Sequence, residues 1–374
     1  MQTKAAVLWR PREPVEILDV ELAPPKTGEV LVRMAACGVC ASDVHVVDGE
    51  LPEPLPIVLG HEAAGVVEEI GDGVERLRPG DHVVLALVPS CGRCLPCRQG
   101  RPNFCALGGQ MAATGTLADG TSRLSVDGRE LHHFNSVSSL AEYAVVPESV
   151  AVPIRKDVPL DVAALFGCGV ITGFGAVVNT ARVHSGSSVA VWGCGGVGLN
   201  CIQAARLSGA STIVAVDVSR EKLAAAEELG ATTVVDALAG DVVEAVREAT
   251  DGLGPDYTFE VIGREDTLNQ AWEATRAGGT VVVVGMIPKG RTLTIDPWWF
   301  IYEKTLKGCF LGSARIAIDI PRLADLYADG RLRLDEFVTR RLPLDELPDA
   351  LDRLRAGEGI RQVVVFEDGG APAS

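Results

Sequence analysis

The rhythm of hydrophobic and polar positions changes twice along the chain. Up to about residue 155, apolar residues come in short runs broken by Gly and Pro, such as Glu29-Val-Leu-Val-Arg-Met34, Ala64-Gly-Val-Val-Glu-Glu-Ile70 and His82-Val-Val-Leu-Ala-Leu87. Runs of this length with such boundaries predict a strand-rich domain. From Ser187 onward, apolar runs at 189–192, 213–216, 233–235, 257–261 and 280–284 alternate with longer helix-like segments. That alternation predicts a parallel sheet with helices on both faces. After about residue 312, amphipathic stretches at 320–328 and 344–354 lead to a last apolar run at 362–366. Residues 112–135, rich in Gly, Thr, Ser and Asp, read as a long surface excursion of the first domain, and residues 367–374 as a frayed tail.

Composition narrows the classes. With 374 residues, 47% apolar and 22% charged, the chain can bury two sizeable cores, which excludes a disordered chain or a mini-protein scaffold. The net charge of -16, from 34 basic and 50 acidic residues, leaves no basic face for a polyanion, so no nucleic-acid partner is expected. A small anionic cofactor remains compatible, because a local nest of backbone amides outweighs a distant field. The opening MQTKAAVLWRP has no apolar core of signal-peptide length, and the apolar stretch 162–178 is cut by Gly167, Gly169, Gly173 and Gly175. The expectation is a cytoplasmic protein with no membrane partner. Ten cysteines in that setting favour metal over a disulfide framework.

Two motifs carry chemistry locally. The run 189–192 is followed by Gly193-Cys194-Gly195-Gly196-Val197-Gly198 and a helical segment, which places the glycines between a strand and a helix. In this context Gly193 permits the turn, Gly195 lets backbone approach a pyrophosphate, Gly198 allows close packing, and the helix amino end offers free N–H groups to the anion. Asp217 closes the next strand, 19 residues beyond Gly198, where a carboxylate accepts bonds from ribose hydroxyls. It would repel a 2'-phosphate, and Val218 supplies no compensating cation, so the cofactor expected is NAD. The second motif is Cys91-Gly-Arg-Cys94-Leu-Pro-Cys97, with Cys105 beyond seven more residues. Four thiolates in one short loop describe a closed, structural Zn site; an iron–sulfur cluster and unmetallated thiols are the alternatives, and although His132 and His133 could in principle join, four cysteines already complete the shell.

Three further islands, Cys37-Gly-Val-Cys40-Ala-Ser42-Asp43-Val-His45, Gly60-His61-Glu62 and Gly167-Cys168-Gly169, are weak singly, since a lone Cys or His is more often a core or hydrogen-bonding residue. Taken with the cysteine lobe, the glycine turn with Asp217, and Gly359-Ile360-Arg361, all in order along the chain, they give a sequence that resembles a zinc-dependent medium-chain alcohol dehydrogenase. Asp119-Gly-Thr-Ser-Arg123 and His132-His-Phe134 further resemble the long-loop alcohol and formaldehyde dehydrogenase branch, including nicotinoprotein-like bacterial members.

The resemblance implies an α/β fold: a discontinuous, GroES-like catalytic domain (residues 1–169 and 313–374) and a Rossmann NAD-binding domain (170–312). It implies that Cys40, His61 and Cys168 hold a catalytic Zn, with Asp43 behind His61 and Glu62 close to the metal, so that two Zn are expected per chain. Thr172 is implied at the nicotinamide, Lys222 at the adenosine ribose and Arg361 at the pyrophosphate. The activity implied is reversible hydride transfer between a primary or secondary alcohol and NAD via a zinc-bound alkoxide, with protons relayed through Ser42 and His45. A homodimer or homotetramer is implied as well. Ala41 stands where many relatives carry Arg or His against the pyrophosphate, which implies weaker hold on NAD. Two rival functions are a thiol-dependent formaldehyde dehydrogenase and a non-catalytic, redox-responsive dinucleotide binder. Leu87, Trp298 and Leu311 are candidates for an apolar substrate pocket.

Overall fold

The structure, a computed structural model, describes residues 1–366, so the expected frayed tail lies outside it. The chain divides into two compact units, Met1–Cys168 with Arg315–Ser374, and Gly169–Ala314. Gly169, Ser313 and Ala314 thus fall in the second unit, where the sequence reading had put them in the first.

In the first unit, strands Gln2–Leu8, Glu16–Leu22, Leu124–Val126, Arg129–His133 and Ile57–Val58 close a small barrel in that order. Beside it, a seven-stranded sheet runs Ala151–Pro153, His82–Leu85, Ala63–Ile70, Glu29–Val39, Arg361–Val365, Val338–Leu342, with Tyr143–Pro147 also pairing Glu29–Val39. The long strand Glu29–Val39 is apolar at nearly every position because it is covered on both faces. Val30, Val32, Met34, Cys37 and Val39 enter one core, and Leu31 enters the other, which fills the barrel.

This arrangement corrects the reading of residues 112–135. The segment is not a surface excursion: its strands Leu124–Val126 and Arg129–His133 complete the barrel, and Leu117, Leu124, Leu131 and Phe134 are buried. Its polar residues are used internally. Arg123 is buried and binds Glu29 through both Nε (2.8 Å) and Nη2, with Asp119 3.0 Å from Nη2. Neither His132 nor His133 joins the cysteine lobe; His133 Nε2 accepts the Arg123 N–H at 3.1 Å.

Burial holds His133 neutral, with its pKa pushed down to about 3. The unfolded chain, with an ordinary imidazole near 6.5, takes up a proton first on acidification, so stability is full above about pH 6.5 and falls by about 1.4 kcal/mol per pH unit below it. Between pH 7 and 5 this one group is expected to remove about 2 kcal/mol. Urea unfolding of the protein and of His133→Gln at the two pH values checks it: the variant should lose that much of the pH dependence.

The second unit is a six-stranded, all-parallel sheet in the order Thr233–Asp236, Thr212–Asp217, Ser188–Trp192, Tyr257–Glu260, Thr280–Val283, Thr305–Gly308. Five of these strands coincide with the apolar runs of the sequence. The sixth, Thr-Leu-Lys-Gly, is an exposed edge strand, which needs no apolar alternation and left no such signal. Among the described residues no single helix is long and apolar enough to cross a membrane.

Candidate active site

Cys40 is the residue immediately before helix Ala41–Val47, and its own N–H donates to Asp43 Oδ2 at 3.2 Å, a reciprocal cap that fixes the start of the helix. The other carboxylate oxygen of Asp43 accepts the Gly60 N–H at 3.1 Å and lies 3.4 Å from His61 Nδ1. One buried carboxylate therefore ties the Cys40 turn to the Gly60-His61 turn. Gly60 is required there: its φ is +95°, and a Cβ would stand 2.2 Å from the Leu140 nitrogen. Phe134, from the segment first read as an excursion, sets its ring edge-on to His61 with centroids 5.2 Å apart.

Cys168 follows the turn Ala164–Gly167, and ligand atoms of Cys40, His61, Glu62 and Cys168 all lie within 4.8 Å of one another. The charges in this cluster are mutually dependent. A hydrogen bond from Cys168 holds the Cys40 thiol well below the usual range against its burial, helped by His61 and Arg361. Cys168 is correspondingly raised. Burial works against a protonated His61, but Asp43 and Cys40 raise its pKa well above the ordinary imidazole value. Burial pushes Glu62 up to about 8 although Arg361 opposes it. The Arg361 guanidinium, 3.7 Å from Glu62 Oε2, is itself buried. Both ring nitrogens of His61 and both Glu62 oxygens have no hydrogen-bond partner. A buried imidazole nitrogen with nothing to bond, beside two sulfurs, is the donor arrangement of a zinc centre with room for a further ligand.

The second cluster is local. Cys94 caps the short helix Leu95–Arg98, Cys105 follows the turn Pro102–Phe104, and the four sulfurs of Cys91, Cys94, Cys97 and Cys105 lie within 4.8 Å of one another. Backbone N–H groups already point at sulfur, Cys91 to Cys105 at 3.3 Å and Cys94 to Cys91 at 3.4 Å. Amide hydrogen bonds from Ala106 and Cys97 lower the Cys94 thiol to about 6, as a thiolate ligand needs.

In the second unit, Gly193 has φ +97° and helix Gly196–Leu207 begins directly after Gly195. A Cβ on Gly198 would stand 1.8 Å from the Gly193 carbonyl oxygen, so chain packing demands glycine there. A Cβ on Gly195 would meet nothing within 4 Å. Packing does not explain that glycine; the open space at the helix amino end leaves room for an anion such as a phosphate to approach the backbone. Val197 and Gly196 belong to the first turn, and Gly173, next to Thr172, packs so closely that its Cβ would lie 2.2 Å from the Val197 oxygen. Asp217 is anchored by N–H groups of Cys194 (2.7 Å) and Ser219 (2.8 Å), and Lys222 opens the helix Arg220–Leu229 two residues in.

Two family models match the chain: an alcohol dehydrogenase GroES-like domain over residues 26–156 and a zinc-binding dehydrogenase over residues 196–329. A solved alcohol dehydrogenase zinc-binding domain protein from Burkholderia ambifaria is 38% identical over 98% of this chain and 99% of its own, with a TM-score of 0.93. The chain belongs to the zinc-binding alcohol dehydrogenase family. It shares the GroES-like and Rossmann-type architecture of that family and its general oxidoreductase character. Benzyl alcohol dehydrogenase from Acinetobacter calcoaceticus is 35% identical, covers 98% of this chain and 99% of its own, and has a TM-score of 0.93. A zinc-binding dehydrogenase from Sinorhizobium meliloti, solved with NADP, is 32% identical over 98% and 100%, with a TM-score of 0.82.

Sequence reasoning missed several contributors. Glu50, 2.6 Å from His45 Nδ1, and the amide bonds of Asp43 carried no spacing signal. Phe134 stood in a noted motif but gave no hint of lying on His61. Of the suggested pocket residues, Leu311 is buried packing and Trp298 is exposed.

Proposed function

We propose that this enzyme oxidises primary or secondary alcohols with NAD, reversibly, using one catalytic zinc at Cys40, His61 and Cys168 and one structural zinc at Cys91, Cys94, Cys97 and Cys105. The observation that carries the reading is the buried His61 imidazole, its ring nitrogens without a hydrogen-bond partner, clustered with two cysteine sulfurs, a Cys2His set that zinc alcohol dehydrogenases use as a class. When bound there, zinc supplies a Lewis acid that lowers the proton affinity of an alcohol oxygen. Asp43, 3.4 Å from His61 Nδ1, would steady the imidazole from that side and leave Nε2 as the donor. Arg361 offsets the charge of Glu62 and the sulfurs; its pyrophosphate contact rests on the resemblance alone. Ser42, 3.8 Å from the Cys40 sulfur, and His45 are assigned to move the alcohol proton outward.

NAD is preferred over NADP in this reading. A phosphate 4 Å from Asp217 would cost on the order of 4 kcal/mol per charge pair at an effective dielectric of 20, and the adjacent Val218 offers no cation. Membership of the long-loop branch rests on the 119–123 and 132–134 motifs. A homodimer or homotetramer through the second unit is supported by exposed Trp298, Phe300 and Ile301 near the open edge strand Thr305–Gly308. A cytoplasmic setting fits ten free cysteines.

The test is metal analysis together with turnover of aliphatic and aromatic alcohols, benzyl alcohol first, with NAD and NADP. Close to two zinc per chain and at least about 100-fold preference for NAD are expected. One zinc and no turnover would leave a non-catalytic binder. Formaldehyde oxidation only in the presence of glutathione would point to the thiol-dependent reaction.

A further inference from the structure

His45 lies in the helix Ala41–Val47, and the chain folds back on it at once. The N–H groups of Glu50 and Leu51 both donate to the His45 carbonyl oxygen, at 2.9 and 3.0 Å. Gly49, with φ +75°, makes that reversal possible. The fold-back places Glu50 Oε2 2.6 Å from His45 Nδ1. The nearby acid Asp48 is engaged elsewhere, by Arg355 through Nη2 at 2.7 Å and Nε at 3.3 Å, and its carbonyl oxygen accepts from Arg12 Nε. Among the described residues, Glu50 is the carboxylate that faces the imidazole.

A ring nitrogen bonded to a carboxylate carries the hydrogen, and the other nitrogen is then the base. We propose that Glu50 is the positioning residue of the proton exit: it holds His45 as the Nδ1–H tautomer with one ring orientation, so that Nε2 is the atom that takes the alcohol proton. The proton balance is simple. A proton arrives at Nε2, the ring becomes imidazolium with Glu50 Oε2 as its counter-ion, and the Nε2 proton passes to water or a buffer base. The ring returns to its starting tautomer because the Nδ1 proton never leaves. The inference deepens the alcohol dehydrogenase reading and rests on His45 acting as the proton acceptor there. Among the described residues the Glu50 carboxylate is bonded to His45 and to no residue of the Cys40–His61–Cys168 cluster, so its effect would be exerted through His45.

The experiment is stopped-flow proton release with an indicator dye during alcohol oxidation by the zinc-loaded enzyme, with KM for NAD and zinc content measured alongside. Glu50→Leu is expected to slow proton release about tenfold at neutral pH, with KM for NAD and zinc content unchanged. Glu50→Gln keeps an oxygen acceptor for Nδ1–H and should recover to within about threefold of the parent. Added imidazole should accelerate Glu50→Leu and His45→Gln alike, since it replaces the missing base. If His45→Gln is slow and rescued but Glu50→Leu releases protons at the parental rate, the positioning role is overturned and the relay stands. If His45→Gln is itself unimpaired, the relay falls and the role of Glu50 with it.

Discussion

His61→Ala is expected to bring the zinc content from two per chain to one and to reduce alcohol turnover by at least about 10⁴-fold. The size follows from what the metal supplies: lowering the pKa of a bound oxygen acid from 15.7 to about 7 corresponds to roughly 12 kcal/mol at about 1.36 kcal/mol per unit. The donor set explains why one residue suffices. His61 is the sole nitrogen donor among four clustered groups, and its loss leaves two sulfurs beside Glu62, whose carboxyl is pushed up to about 8 by burial. The four-cysteine lobe serves as the internal control, because its ligands come from residues 91–105 and share no atom with the His61 centre. Retention of two zinc, with more than about a tenth of the activity, would remove the centre from the reaction. Loss of both would mean that the variant had unfolded; His61→Gln, closer in shape, then carries the comparison.

The second large effect separates two glycines three residues apart. Gly198→Ala places a methyl 1.8 Å from the Gly193 oxygen and 3.1 Å from Val261 Cγ2, so helix Gly196–Leu207 must move away from the strand that precedes it. Overpacking of this kind costs about 1–3 kcal/mol, and a displaced helix amino end no longer meets the cofactor phosphates. A fall in the thermal midpoint together with at least about 100-fold weaker NADH binding is expected. Gly195→Ala enters open space. Its thermal midpoint should match the parent, while NADH binding weakens because the new methyl lies where the pyrophosphate approaches. Fluorescence titration and thermal unfolding of the pair decide the matter. Parental NADH affinity in Gly195→Ala would place the dinucleotide elsewhere.

Much of this is legible in the sequence. The cysteine lobe and the glycine turn were readable because all their atoms come from one short stretch, where spacing alone limits geometry. The other cluster was different. Cys40, His61 and Cys168 are unremarkable in isolation, and it took the order of six motifs, through the family resemblance, to join them. The edge strand Thr305–Gly308 escaped notice because exposed backbone pairing needs no hydrophobic face. Residues 112–135 show the converse: their polar composition suggests solvent, yet Arg123 pairs with both Asp119 and Glu29 where the hairpin closes the barrel.

By itself, then, the amino-acid sequence determined the alternation that builds the parallel sheet, the cysteine lobe, the glycine turn between strand and helix, and the acidic residue at the second strand's end. These are properties of contiguous residues, set by periodicity, backbone freedom and side-chain type. Only the tertiary structure decided that one carboxylate, Asp43, would bond Cys40, Gly60 and face His61 together. Likewise it decided that Phe134 would brace that imidazole, that Arg361 would sit against Glu62, and that Glu50 would turn back onto His45. Directional contacts between distant residues, or across a reversed turn, depend on where the packed strands and helices bring the chain, and no local pattern encodes that.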